Sequence, residues 1–243
     1  MDIAGRNALV TGGAQRVGRA IALGLAGRGC NVFVHYNSSA GPAEETAAEV
    51  RRLGGRAAIG ATDLGDPSAA PHLLVSAAVA LGPISILVNS ASTFPSDTLQ
   101  DVTVDGWRRT LDLTLGSPAF LTQAFALALP SELGGAVVNI TDVRTAKPYL
   151  EHFSYVIAKG GIDGLTRAAA VALAPRVRVN AVALGVILPP PGEGEAYAQR
   201  LAHQLPLHRV GGTDPVAAAV VALVENDFVT GEIVRVDGGG HLV

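Results

Sequence analysis

Apolar residues recur along this chain in two rhythms. Short runs of β-branched and aliphatic residues alternate with longer stretches in which Ala and Leu return every three or four positions. The runs are NALVT (7–11), NVFVHY (31–36), RAAIGAT (56–62), SILVN (85–89), AVVNI (136–140), VRVNAVA (177–183) and EIVRVD (232–237). Near-continuous apolar runs of this length suit strands buried on both faces. Helical patterns fill the intervals from the first run to Gly29, over 42–54, 67–82, about 104–129 and 153–174. Repeated strand–helix units predict right-handed crossovers and an α/β fold: a doubly wound parallel sheet of about seven strands with helices on both faces.

No linker or break in composition divides the chain, so residues 1–243 read as one domain. The irregular stretch is PPPGEGEAYAQRLAHQLP (189–206), which follows a predicted strand. Open α/β sheets build their ligand crevice at that position. The segment reads as a substrate lid, with a plain surface excursion as the alternative.

Composition narrows the function classes. With 243 residues, 49% of them hydrophobic, the chain can bury one large core. The formal net charge is −3 and no strongly basic run occurs, which argues against a nucleic-acid partner. Cys30 stands alone, so there is no intrachain disulfide or cysteine cluster, and buried packing is its expected role. The six histidines do not cluster; His203 and His208 lack a third ligand, and no metal is expected. His152 lies close to Tyr155 in sequence and can line a site, though a solvated loop is its expected place, and His241 is expected at a neighbouring subunit. Asp2 and Arg6 interrupt the N-terminus, which does not read as a signal peptide. Leu113 to Ser131 carries no charge, yet Gly116, Pro118, Thr122, Gln123 and Pro130 mark a buried helix and not a membrane span. The cytoplasm is the expected location.

TGGAQRVG (11–18) lies between the first strand and the first helix. Gly12, Gly13 and Gly18 permit a tight turn whose backbone approaches a pyrophosphate at the helix N-terminus, as in Rossmann-type folds. A turn serving only packing remains open. Arg16 occupies a place where a third glycine might be expected, and its cation can meet a phosphate or an anionic substrate edge. At the end of the second strand, Tyr36 stands where an acid would bind the ribose 2′-OH of NAD. Asn37, Ser38 and Ser39 follow and offer hydrogen bonds without repelling a 2′-phosphate, so NADP(H) is the favoured cofactor. Asp63, followed by Leu64, can bind an adenine amino group or cap a helix.

The segment TDVRTAKPYLEHFSYVIAK (141–159) carries the candidate chemistry. Tyr155 and Lys159 are four apart and share one helix face. A cation beside a phenol favours the phenolate, so the Tyr pKa is expected to fall from about 10 toward neutrality. A pair of this kind also occurs on ordinary surface helices. Asp142 lies thirteen positions before the Tyr. An ionised Asp opposes a developing alkoxide but suits a substrate edge carrying N–H groups, which disfavours ketones. Alone, Asp142 also fits a strand-end cap. Phe94 offers an aromatic face to a flat heterocycle or to the core.

TGGAQRVG, NSAS (89–92), Tyr155/Lys159 and the Gly185 that follows VNAVAL together resemble the short-chain dehydrogenase/reductases over essentially the whole chain, down to VDGGGHLV. Asp142, Arg16, HYNSS and Phe94 narrow the similarity to the pteridine reductases and related dihydrofolate-reducing members. The resemblance implies Tyr155 as proton donor, Lys159 on the nicotinamide ribose, and Asp142 as the catalytic carboxylate. It implies Ser92 at the cofactor or pterin, Phe94 stacked on the pterin, and Arg16 at the substrate edge. The implied NADP(H) site comprises Gly12, Arg16, Val17, Gly18, Tyr36, Asn37, Ser38, Ser39, Asp63, Leu64, Asn89, Ser90, Tyr155, Lys159 and Gly185. Three positions depart from the superfamily pattern: Ser90 for the second Asn of NNAG, Leu184 for the usual Pro, and Thr114 for the Asn whose backbone holds a relay water. The family implies a homotetramer. The leading expectation is NADPH-dependent reduction of a pterin or folate C=N. A general ketone or acyl-thioester reductase and a non-catalytic NADP-binding redox sensor are the alternatives.

Overall fold

In a computed structural model the described residues are 1–189 and 195–243, with side chains described from 199 onward in the second stretch. Seven strands form the sheet: β1 (Asn7–Val10), β2 (Asn31–Tyr36), β3 (Ala57–Ala61), β4 (Ile86–Asn89), β5 (Gly135–Asp142), β6 (Val177–Leu184) and β7 (Ile233–Val236). Their order is β3-β2-β1-β4-β5-β6-β7, and every paired neighbour is parallel. Strand order reverses between β1 and β4, which opens a crevice at their carboxyl ends.

Strand side chains alternate between two cores, as the period of two requires. Ala8, Val10, Val32, Val34 and Val88 face one side. There they meet α1 (Arg16–Ala26), α2 (Ala40–Arg52) and α8 (Asp214–Glu225) through Ile21, Leu25, Val50, Val216 and Val220. Leu9, Phe33, Leu87, Val137 and Val179 face the other. Their partners include Leu73 and Leu74 of α3 (Ala70–Leu81), Leu121 and Phe125 of α5 (Ser117–Ala128), and Ala169 and Ala170 of α6 (Phe153–Leu173). Each fully buried Leu, Val or Phe stabilises the fold by about 1.5–3 kcal/mol relative to exposure. Cys30 is buried and donates to the Ile3 carbonyl, and burial pushes its thiol up to about 12, so it is inert packing.

The helix expected over 104–129 is two helices, α4 (Val104–Leu111) and α5, joined by a π-helical turn at Asp112–Gly116. Pro118 lacks an N–H at the second position of α5 and cannot continue a regular helix from α4. The expected helix at 67–82 opens as a short 3-10 turn at Pro67–Ala69, with Asp66 capping Ser68 N at 2.9 Å. α8, missing from the sequence expectations, begins at Asp214-Pro215 and buries its Val face against α1. Within the irregular 189–206 stretch, Glu195–Ala202 is a helix, α7, and residues 190–194 lie outside the described residues. Among the described residues no helix is long and apolar enough to cross a membrane.

Candidate active site

The glycine turn is held in place from both flanking strands. Thr11 Oγ1 accepts from Ser90 N and Ala91 N at 2.9 and 3.0 Å, tying the end of β1 to the end of β4. His35 of β2 accepts the Gly12 N–H on Nδ1 at 3.1 Å, and its Nε2 lies 2.9 Å from the Thr62 carbonyl. Burial lowers the His35 pKa, and a neutral ring with its proton on Nε2 satisfies both contacts. His35 therefore positions the turn, a role its place inside an apolar strand run did not suggest. Gly12 has φ +62°, and a Cβ on Gly18 would lie 2.1 Å from the Gly12 carbonyl oxygen, so no side chain fits there. Arg16 adopts φ +51°, in the left-handed region that favours glycine, and its Nη2 donates to the Pro189 carbonyl at 2.9 Å. The guanidinium thus spans from the turn to the segment after β6.

Val17 follows in the first turn of α1, whose N-cap, Gln15, makes no side-chain cap bond. Tyr36 is half-buried at the β2 end, with Asn37 and Ser38 exposed and Ser39 half-buried beyond it. Asp63 is exposed and its Oδ1 accepts from Gly65 N at 2.8 Å, a local turn and not the helix cap. The Leu64 side chain is buried, and its carbonyl accepts from Ser117 Oγ at 2.6 Å. Ser90 is half-buried on the same rim, and Gly185 packs so tightly on Asp237 that a Cβ would lie 2.5 Å from the Asp237 Cβ. Asn89 ends β4 beside the glycine turn. Its side chain is buried and donates to Asn139 Oδ1 at 2.8 Å, while Asn139 donates to Thr166 Oγ1 at 2.9 Å. The amide links β4, β5 and α6 inside the core, and its buried Oδ1 makes no hydrogen bond in this structure.

The sheet's carboxyl edge and α6 bring the catalytic candidates together. Tyr155 donates its hydroxyl to Asp142 Oδ2 at 2.8 Å, and Arg144 N donates to Oδ1 at 2.8 Å. Lys159, one turn along α6, is buried and donates to the Ile140 carbonyl at 2.7 Å; its Nζ lies 5.6 Å from the centre of the Tyr155 ring. The expected drop in the Tyr155 pKa is overturned. Burial first, and then the adjacent Asp142 carboxylate, push it well above 10. Burial likewise raises Asp142, against the backbone donor, Tyr155 and Lys159. Desolvation lowers Lys159 to about 8, with Asp142 and Asp163 opposing. Asp163, four residues after Lys159, accepts from Thr141 Oγ1 at 2.7 Å and Thr145 Oγ1 at 2.8 Å. Its i+4 spacing continues the Tyr155–Lys159 face and was readable in the sequence.

An aromatic group covers this centre. Phe94, half-exposed, meets Tyr155 edge to face at 4.7 Å between ring centres and stacks on His152 at 3.7 Å. His152, expected in solvent, is half-buried and its Nδ1 contacts the Pro95 carbonyl at 2.7 Å. Tyr149 lies 6.1 Å from Phe94 and 5.5 Å from His152, ring centre to ring centre. Thr114 is buried in the π-helical turn with its hydroxyl 3.4 Å from the exposed Ser92 Oγ. Such turns displace backbone groups from regular helical pairing and recur at functional sites. His241 pairs within its own chain, Nδ1 to Asp237 Oδ2 at 2.7 Å. Among the described residues no group of three or more His, Cys, Asp or Glu is arranged to hold a metal ion.

Residues 12–241 match the family described as enoyl-(acyl carrier protein) reductase. An L-rhamnose 1-dehydrogenase (NAD(P)(+)) of Sphingomonas sp. (strain SKA58) is 30% identical, covering 98% of this chain and 97% of its own length. A 3-oxoacyl-[acyl-carrier-protein] reductase of Synechocystis sp. is 31% identical over 96% of this chain and 95% of its own. Among solved structures, FolM alternative dihydrofolate reductase 1 from Brucella canis, complexed with NADP, aligns with a TM-score of 0.94 at 36% identity. That alignment covers 100% of this chain and 96% of the Brucella chain. This chain belongs to the short-chain dehydrogenase/reductase family of oxidoreductases.

Proposed function

We propose that this protein is an NADP(H)-dependent reductase of the C=N bond of a pterin or folate-type substrate, with Tyr155 as proton donor. The observation that carries the reading is the 2.8 Å hydrogen bond from Tyr155 to Asp142. A carboxylate fixed beside the phenol faces the substrate atom that receives the proton. It repels a ketone oxygen gaining negative charge and favours the N–H edge of a pterin. The NADP-bound Brucella FolM structure is consistent with this reading.

The residues fit the cofactor. The uncapped first turn of α1 and the positive φ of Gly12, with Gly18 packed directly on the Gly12 carbonyl so that the helix start abuts the turn, form a cradle for a pyrophosphate. Tyr36 to Ser39 contain no carboxylate, which suits a 2′-phosphate. Arg16, Val17, Asp63, Leu64, Ser90 and Gly185 complete the rim, and Lys159 would meet the nicotinamide ribose. When bound, the reduced nicotinamide supplies a hydride.

The chain's own residues supply the proton. Tyr155, kept protonated by burial and by Asp142, passes its proton to the ring nitrogen beside the reduced carbon. Asp142, held above the usual carboxylate range by burial, takes up a proton and returns it to the phenolate. Phe94 offers its face to the heterocycle, and Ser92, aligned by Thr114, adds a hydroxyl at the rim. The relay function ascribed to position 114 acts through its backbone, so Thr serves within the π-helical turn. Phe120 and Leu127 of α5 and Val171 of α6 are exposed, which suits the homotetramer that size-exclusion chromatography with light scattering would detect.

A carbonyl reductase is the second reading, favoured by the Synechocystis relative. The test of the mechanism is Tyr155→Phe. Affinity for NADPH should stay within a few-fold of wild type while turnover falls by about 10² or more. Turnover at the original rate would overturn the role of Tyr155.

A further inference from the structure

Besides Tyr155 and Lys159, α6 carries a third ionisable side chain on the same face, the half-buried Asp163, four residues beyond the lysine. Its Oδ1 accepts from Thr141 Oγ1 at 2.7 Å and its Oδ2 from Thr145 Oγ1 at 2.8 Å. Thr141 precedes Asp142 at the end of β5, and Thr145 closes the short 3-10 turn that Asp142 caps through Arg144 N. One carboxylate therefore grips the chain on both sides of Asp142 and ties it to the helix that carries Tyr155. Thr141 Oγ1 also lies 3.2 Å from the Lys159 carbonyl, which sets the tie directly beside the lysine.

No cation neutralises this carboxylate at close range. Among the described residues no Lys, Arg or His forms an ion pair with Asp163, and Arg167 reaches its backbone carbonyl at 3.5 Å. Two carboxylates act on the buried Lys159 ammonium, Asp142 from the end of β5 and Asp163 from α6, and both oppose the desolvation that lowers its pKa to about 8. Tyr155 faces the ammonium from the same helix, 5.6 Å from ring centre to Nζ, and Ile140 of β5 offers it a backbone carbonyl.

We propose that Asp163 is a positioning residue for the reaction: its carboxylate clamps the Asp142 loop to α6 and supplies a second negative charge that keeps Lys159 an ammonium. The inference rests on the proton-handling roles given above to Tyr155, Asp142 and Lys159, and it holds for a C=N or a carbonyl substrate alike. Hydroxyl–carboxylate bonds are charge-assisted and short, so two of them fix where Asp142 lies relative to the phenol. An Asn at this position keeps the shape, because its oxygen accepts from one threonine while its nitrogen donates to the other. It removes only the charge.

Urea unfolding of the full chain without cofactor separates charge from shape. Between about 8 and about 10.4 the unfolded chain binds more protons at Lys159 than the folded one, and loss of a facing carboxylate lowers the folded pKa further. The added penalty is present near pH 7 and absent near pH 10, where the folded lysine is neutral with or without Asp163. An opposite charge is worth about tenfold in proton affinity at the low end, of which about fivefold is felt in unfolding near pH 7. Relative to wild type, Asp163→Asn should therefore raise the unfolding equilibrium constant about fivefold more near pH 7 than near pH 10. Lost hydrogen bonds alone would give the same gap at both pH values, and that result would overturn the hold on Lys159. Thr145→Val tests the clamp with the charge intact. Its kcat should fall about tenfold on whichever compound wild type reduces, with KM for NADPH within a few-fold of wild type and a stability gap that does not change with pH. An unchanged kcat overturns the clamp. If wild type reduces no compound the reductase reading fails, while the unfolding comparison still decides whether Asp163 holds the Lys159 charge.

Discussion

Replacing Lys159 by Met should stabilise the cofactor-free protein while removing its reductase activity. The ammonium is buried with one backbone carbonyl as its hydrogen-bond acceptor. Desolvation lowers its pKa from 10.5 to about 8 despite Asp142 and Asp163. A fall from 10.5 to about 8, at about 1.36 kcal/mol for each step of one in pKa, means that folding penalises the charged lysine by about 3 kcal/mol. Met fills similar space without charge and forfeits one hydrogen bond worth about 1 kcal/mol. The net expectation is a gain of about 2 kcal/mol near pH 7.

The sign follows from proton counting. Between the folded pKa of about 8 and the unfolded value of about 10.4, the unfolded chain binds more protons at Lys159, so wild-type stability rises with pH through this window. The penalty is complete below about 8 and gone above about 10.4, and the advantage of Met should shrink accordingly. Urea unfolding of both proteins near pH 7 and near pH 10, compared at equal m-value, measures it. A Met variant less stable than wild type near neutrality, or an advantage that does not change with pH, would show that the buried charge does not carry this cost.

Gly18→Ala should lower NADPH affinity by more than about tenfold in a fluorescence titration, because the added Cβ would lie 2.1 Å from the Gly12 carbonyl oxygen and must displace the turn. In Tyr155→Phe, Asp142 keeps only its backbone donor, so stability should fall by about 1–3 kcal/mol where Asp142 is ionised and recover as the pH drops and it protonates. Urea unfolding across the acidic range checks that trend.

The architecture was legible because its strands are buried on both faces: continuous runs such as ILVN at β4 leave few other placements. α8 was equally apolar, but it follows the irregular 189–206 stretch and its Asp-Pro start was passed over. The break at Asp112–Gly116 was not readable, since an extra residue in one helical turn leaves the apolar spacing almost unchanged. Motif spacing placed Tyr155, Lys159 and Asp142 in one centre, yet not the direction of the Tyr155 pKa. That direction depends on burial and on the Asp142 carboxylate 2.8 Å from the phenol, which are tertiary facts. Closeness to Tyr155 in sequence pointed to His152, whereas Tyr149 joined the site for a similar tertiary reason: its ring meets Phe94 across two loops that no periodicity connects. The bond from Asn89 to Asn139, fifty positions away, is likewise a tertiary contact that motif spacing does not show.

The substrate preference of wild type beside Asp142→Ser tests the central claim most directly. NADPH oxidation would be followed with dihydrobiopterin, dihydrofolate and a panel of ketones and 3-oxoacyl thioesters, with NADH as control. The account predicts NADPH-specific turnover of a dihydropterin or dihydrofolate by wild type, lost in Asp142→Ser, which trades the carboxylate for a hydroxyl able to donate to a ketone oxygen. Wild-type turnover confined to the carbonyl compounds, or tight NADPH binding with no turnover of any compound, would contradict it.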